Sequence, residues 1–347
     1  MDVTRILHWG VGEMGAGMVR LIQEIPSLRS VSAVVRPGPK EGKDLGELAG
    51  LSRPLGIKAV SDPARAQAEA PADVALHATG SFTREVYPQL EALVNLKLDV
   101  ITVAEEMAAP WRREPELAAK LDRLARERGV TVLGTGINPG FVLDTLIIAL
   151  TGACWEVRKI RAARINDLSP FGPVVMKTQG VGTTPEEFAR GVAAGTIVGH
   201  IGFPESMQMI ADALGWKLDK IEESREPIIS RTRRQTKHIL VEPGMVAGCR
   251  HTARGYMDGK VVIELEHPQQ ILPGTEGTET GDYIWVDGTP PLNFANKPEI
   301  PGGIGTMAVA VNSIPLVRKA PPGLIVQPDL PVPRALPRRP GGGGKRA

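Results

Sequence analysis

Over the first 140 positions apolar residues come in short runs separated by helix-like patterns. Arg5–Trp9 reads as a strand and enters the glycine turn Gly10–Gly15, after which Met18, Leu21, Ile22 and Ile25 recur at helical spacing. Val31–Val35 is a second strand, ended by Arg36-Pro37-Gly38. Asp73–Ala78 is a third, followed by Thr79-Gly80-Ser81, and Asp99–Val103 is a fourth. Leu117, Leu121 and Leu124 mark one face of a helix that stops at Gly129. Val130–Leu133 is the fifth strand, leaving into Gly134-Thr135-Gly136. Strands alternating with helices of this length predict βαβ units and a doubly wound parallel sheet, an α/β architecture.

From about residue 155 the pattern changes. Glu156–Asn166 reads as a longer strand. Thr184 with Pro185 and Glu187 reads as a capping box opening a helix. A further helix over Glu205–Leu214 stops at Gly215, and Val261–Glu266 alternates as a half-buried strand. This predicts a second, α+β domain. The apolar segment 304–319 predicts a helix that packs back on the first domain. The expected division is 1–140 with a returning 304–334 for the first domain, and 141–303 for a substrate and dimerisation domain. A Pro/Gly/Arg-rich tail, 335–347, is expected to be disordered.

Composition narrows the partners. The chain has 347 residues, 42% of them hydrophobic, so two cores of ordinary size are possible. A formal net charge of +2 argues against nucleic acid or an anionic membrane as the main partner. No apolar run reaches the ~18 residues of a membrane helix, and the N-terminus does not read as a signal peptide. Two cysteines, Cys154 and Cys249, make no disulfide framework, and no Cys/His cluster has zinc spacing, so no metal is expected. A cytoplasmic setting fits these features.

Gly10-Val11-Gly12-Glu13-Met14-Gly15 is GxGxxG, placed after a strand and opening a helix. The first glycine allows the turn, the second lets backbone approach a pyrophosphate, and the third lets helix and strand pack closely. This predicts a Rossmann-like dinucleotide site. The end of the second strand carries Arg36, with Lys40 and Lys43 nearby, where an acidic residue would bind the ribose of NAD. Arg36 favours NADP, with NAD possible; a solvated basic loop is the plainer alternative. Thr79-Gly80-Ser81, at the sheet's carboxyl edge, is small enough to pass over the cofactor; an ordinary tight turn is the alternative.

The fourth strand runs into Glu105-Glu106 at the same edge, where the nicotinamide end of a cofactor belongs. Adjacent residues point different ways, so one can face the pocket while the other caps a helix; both capping the next helix is the alternative. Glu105, first out of the strand, is the candidate for the pocket. A carboxylate there suits an amine, whose ammonium needs an anion to hold it and take its proton. An alcohol more commonly uses His, Lys or Tyr.

Gly134-Thr135-Gly136-Ile137-Asn138-Pro139-Gly140-Phe141, with GVGEMG, the AEEM loop and Gly305–Pro315, resembles the 2,4-diaminopentanoate dehydrogenase and native amine dehydrogenase family. That family shares the dihydrodipicolinate reductase-like nucleotide fold. The resemblance implies NAD(P)-dependent oxidative deamination of an amine to a ketone or aldehyde plus ammonia, or the reverse. It also implies a homodimer, a catalytic glutamate falling on Glu105, and Asn138-Pro139 beside the nicotinamide. Ala104 departs from the cysteine common in the family's loop, and the namesake's diamine substrate does not transfer by default.

In the second domain Arg164, Asn166 and Phe171 leave the first strand, and Phe141 is a candidate pocket wall, with a core phenylalanine as the alternative. His200 and His267 are candidates for the pocket's far end, where with Arg164 and Asn166 they could bind a second polar group of the substrate. Arg231, Arg233, Arg234 and Lys237 read as a solvated basic face. The competing function is a dihydrodipicolinate reductase or homoserine dehydrogenase type of oxidoreductase acting on a hydroxyl or cyclic imine. Only Lys177 and His200 could serve it as proton donors.

Overall fold

A computed structural model describes residues 3–339. Its contacts divide the chain into two units, one running through Phe141 and resuming at Gly302, the other Val142–Pro301.

In the first unit β1 (Thr4–Trp9), β2 (Leu28–Val34), β3 (Val74–His77), β4 (Asp99–Thr102) and β5 (Thr131–Gly134) form a parallel sheet with an edge strand, Gly323–Ile325. The order is β2-β1-β3-β4-β5-edge. The strands are apolar on both faces because both faces are covered. Leu7, Ala75, Val100 and Val132 pack on helices Thr83–Asn95 and Pro115–Arg128. Ile6, Leu76, Ile101 and Leu133 pack on α1 (Glu13–Gln23) and on the returning helix Gly302–Val317. Gly17 makes the closeness of those two helices possible, since a Cβ there would stand 1.7 Å from Met307 Sδ. β2 starts three residues before its apolar run: Ser30 is buried, its Oγ lying 2.9 Å from His8 Nε2, which satisfies a polar position inside the sheet.

The tail expectation is corrected over 335–339. Leu336 N donates to Asn312 Oδ1 (3.2 Å), Arg338 pairs with Glu24 (2.6 Å), and Arg339 N donates to Glu24 O (2.8 Å). These partners sit at the end of α1 and on the returning helix, and Leu336 joins their core. Residues 340–347 lie outside the described residues.

The second unit is built on a six-stranded sheet in the order Leu292–Asn296, Gly281–Thr289, Glu156–Asp167, Lys260–Gln270, Val246–Met257, Lys220–Ile229. Only Glu156–Asp167 and Lys260–Gln270 run parallel; the other pairs are antiparallel. The Thr184–Glu187 capping box forms with both bonds present and opens helix Pro185–Ala193, whose Phe188 packs against Val246 and Cys249. The basic run is corrected at Arg234, which is buried. It bonds Gln270 Oε1 (2.8 Å) and Ile271 O (2.7 Å) and pairs with Glu276 (3.1 Å). Against the desolvation that raises it, hydrogen bonds from Arg231 N and the Thr232 hydroxyl and the Arg234 guanidinium hold the Glu276 carboxyl down at about 2.

Candidate functional site

Because all six strands of the first sheet run parallel, the residues after β1, β3, β4 and β5 gather at one edge, where doubly wound sheets bind ligands. The glycine turn is the first of them. Gly10 has φ +92°, and a Cβ there would lie 2.3 Å from Ala78 O; one at Gly15 would lie 1.9 Å from Gly10 O. Gly12 is the reverse case, with no atom within 4 Å of its would-be Cβ. Two glycines are therefore demanded by the fold, and the third leaves backbone open to a ligand. Gly12 also precedes α1 without a side-chain cap, so the helix N-terminus presents its N–H groups and dipole outward. Glu13 and Met14 form its first turn.

A cavity of about 720 Å³ opens at this turn, lined by Trp9, Gly10, Gly12, Arg36, Lys40, Thr79 and Gly80 among others. Arg36 is exposed at its wall, and no ion pair engages it among the described residues. Lys40 Nζ donates to Val11 O at 2.7 Å, beside the turn. No carboxylate follows β2 directly. Thr79 Oγ1 donates to Gln89 Oε1 (2.6 Å), which also lies 2.7 Å from His77 Nε2. Burial pushes the His77 imidazole down to about 4, and Thr102 Oγ1 holds its other nitrogen at 2.8 Å.

The two glutamates divide their work. Glu106 Oε2 accepts from Thr83 N (2.9 Å), supplying the cap that Phe82 cannot give helix Thr83–Asn95, and Arg113 stands 3.9 Å from its other oxygen. The capped helix is the preceding one, not the next. Glu105, first residue of the short turn Glu105–Ala108 after β4, takes a side-chain hydrogen bond from Ser81 and faces no cation among the described residues. Burial raises its pKa above the ordinary carboxylate value, a shift opposed by the Ser81 bond and increased by neighbouring Glu106. The loop after β5 holds Asn138 in a cis bond to Pro139. Gly140 follows at φ +121°, where a Cβ would stand 2.4 Å from Gly136 N. Phe141 is half-buried.

In the second unit the structure gathers four candidates and adds one. His267 Nε2 lies 3.1 Å from Asn166 Oδ1, and the rings of His200 and His267 are 4.9 Å apart. His251 completes the cluster: it is directly cross-strand from His267, and its Nδ1 accepts from His200 N at 3.0 Å. Burial drives His200 and His267 well below the ordinary imidazole value, helped at both by His251 and Arg164 and at His267 also by His200, so these rings are neutral near pH 7. Arg164 departs from its expected role as a free ligand for substrate. It is buried in an ion pair with Asp282, and its other terminal nitrogen donates to Ile300 O. It stands behind the cluster as a neutralised cation. Phe171 packs instead in a small apolar cluster with Leu168, Met176 and Ile271. The signal for His251 was in the sequence: Ala247, Cys249, His251 and Ala253 alternate with Gly248, Arg250, Thr252 and Arg254, a strand pattern.

Comparison with known proteins matches the 2,4-diaminopentanoate dehydrogenase C-terminal domain over residues 141–339 and the dihydrodipicolinate reductase N-terminus over residues 4–102. The 2,4-diaminopentanoate dehydrogenase of Acetoanaerobium sticklandii is 47% identical over 345 residues, 97% of this chain and 96% of that one. An amine dehydrogenase of Streptomyces virginiae is 26% identical over 95% of this chain and 97% of its own. Among solved structures, the amine dehydrogenase from Mycobacterium smegmatis aligns with a TM-score of 0.82 at 28% identity, covering 95% of this chain and 97% of that one.

Proposed function

Since the chain belongs to the 2,4-diaminopentanoate dehydrogenase family, oxidoreductases acting on CH–NH2 donors, we propose that Glu105 is the residue that handles the amine. One observation carries this reading: of two adjacent carboxylates at the ligand edge of the sheet, Glu106 is engaged in capping, and Glu105 is held by hydrogen bonds with no cation beside it among the described residues. A substrate ammonium would supply that missing charge.

The open backbone at Gly12, the uncapped helix and the cavity fit a nicotinamide dinucleotide. A nicotinamide dinucleotide bound there would supply the hydride acceptor for the carbon that carries nitrogen. Gly10–Gly15 with Thr79, Gly80 and Asn138 would hold it. Glu105 orients the ammonium and takes a proton from it; Ser81 fixes the carboxylate's direction. Water adds to the resulting iminium, and ammonia leaves. Turnover of a ketone by the reduced cofactor should therefore require ammonium. Equal rates with and without ammonium would instead select the hydroxyl- or imine-reducing reading, which the reductase match over residues 4–102 alone supports weakly.

We assign the cofactor preference to NADP. Arg36 lines the cavity with no ion pair among the described residues, Lys40 adds a second cation, and the acidic residue in the lining, Glu85, belongs to helix Thr83–Asn95 and not to the end of β2, where a carboxylate would meet the ribose. Arg36→Ala should lower kcat/KM for NADPH by about ten- to hundredfold and leave that for NADH nearly unchanged, because one charge-assisted contact to a phosphate is worth about 1.5–3 kcal/mol. Parallel losses for both cofactors would refute the assignment. For the substrate, the cluster of Asn166, His200 and His267 backed by Arg164 supports a molecule with a second polar group beside the amine, as the name of the Acetoanaerobium relative describes.

A further inference from the structure

The loop 198–202 is held in an unusual way. Val198 O accepts from Arg225 Nε (2.7 Å), Gly199 O accepts from Gln179 Nε2 (2.8 Å), and His200 N donates to His251 Nδ1 (3.0 Å). Three successive residues are gripped by side chains from three separate places in the chain. The approach to His251 is as close as backbone can come. Gly199 has φ +67°, and a Cβ there would stand 2.8 Å from His251 Nδ1. So position 199 must be glycine, and position 251 must offer an acceptor.

The loop delivers one side chain. The His200 ring lies 4.8 Å from Phe203 and 4.9 Å from His267, and its buried Nε2 has no hydrogen-bond partner among the described residues. A buried polar atom left unmade costs about 1–3 kcal/mol, so its retention points to a partner that arrives with a ligand. His251 sets this geometry. Accepting at Nδ1 places its proton on Nε2, the nitrogen 3.7 Å from Glu223 Oε1, while Phe203 packs on the ring at 4.9 Å.

We propose that His251 is a positioning residue for substrate selectivity: through the His200 backbone it holds the His200 ring against His267 and Asn166, ready for the second polar group of the substrate. This rests on the assignment of that cluster to the substrate. A merely structural His251 would matter for its volume; a positioning His251 matters for its acceptor. Leucine keeps the volume and loses the acceptor, and asparagine places an oxygen close to where Nδ1 sits.

The full-length enzyme is assayed with 2,4-diaminopentanoate and NADP+, and with 2-pentanone, NADPH and ammonium as a partner lacking the second group. His251→Leu should raise KM for the diamino acid about tenfold more than KM for 2-pentanone, the loss of one well-placed hydrogen bond, with His251→Asn restoring most of it. Equal changes in the two KM values, or none, overturn the proposal. His267→Ala separates the layers. If it leaves KM for the diamino acid unmoved, the cluster does not bind substrate and the proposal falls with that reading; if it raises KM and His251→Leu does not, only the positioning role falls. Long-range 1H–15N spectra of the wild-type histidines give a readout without variants: His251 should carry its proton on Nε2, and a proton on Nδ1 overturns the proposal.

Discussion

Glu105→Gln should lower kcat/KM for amine oxidation by about a thousandfold, the middle of the range that a positioned acid–base group supplies. Glutamine fills the same space and can still accept from Ser81, so the loss isolates the charge and the proton-accepting oxygen. Dinucleotide binding, measured by fluorescence titration, should be unchanged, because the glycine turn and Arg36 are untouched. The pH profile follows from the raised pKa. The ionised form is the active one, so the acidic limb of kcat/KM should fall above the ordinary glutamate range of about 4.3, and it should be absent from whatever activity the variant keeps. Stability moves the other way. A carboxyl whose folded pKa lies above its unfolded value favours unfolding once pH exceeds the unfolded value, so the penalty is present near pH 7 and gone at pH 4. Glu105→Gln should therefore melt at the same temperature as the parent near pH 4 and slightly higher near pH 7. A variant that keeps full activity, or melts lower at pH 7 than at pH 4 relative to its parent, sinks the assignment.

What could be read along the chain and what could not divides by the range of the forces involved. Gly15 was legible because its constraint is local, the Gly10 carbonyl of the same turn; Gly10 was legible from the turn's own positive φ, although the oxygen that a Cβ would meet there, Ala78 O, follows β3 far along the chain. The division of Glu105 and Glu106 was half legible. Adjacency says that one points away, but which one is decided by Thr83 N, 23 residues earlier in the chain. The two buried arginines were illegible for the same reason. Arg234 looks like its neighbours Arg231 and Arg233, and its burial depends on Glu276 and Gln270, brought to it only by the sheet. Lys220–Ile229 carries charges on both faces, as an edge strand does, so no periodicity marks it. The order of the tail to residue 339 rests on Glu24 at the end of α1 and Asn312 within the returning helix, not on its own composition.

Asp282→Ala should cost about 3–5 kcal/mol, the price of leaving one partner of a buried pair uncompensated. Asp282 is fully buried and Arg164 nearly so, at 2% exposure. The aspartate also accepts from Ile300 N (2.8 Å), and Arg164 donates to Ile300 O, so one pair fixes the end of the second unit to its central strand. A unit of this size loses roughly 2–4 °C in Tm per kcal/mol, so calorimetry should show a fall on the order of 10 °C. Replacing both partners, Arg164→Met with Asp282→Leu, removes the uncompensated charge and should return stability to within about 2 kcal/mol of the parent. Affinity should not return with it. Burial keeps His200 and His267 neutral and Arg164 adds to it; on the proposed substrate role of that cluster, loss of the cation behind those rings should leave KM for 2,4-diaminopentanoate raised in the double variant. Recovery of KM along with Tm would mean that the pair serves only the fold.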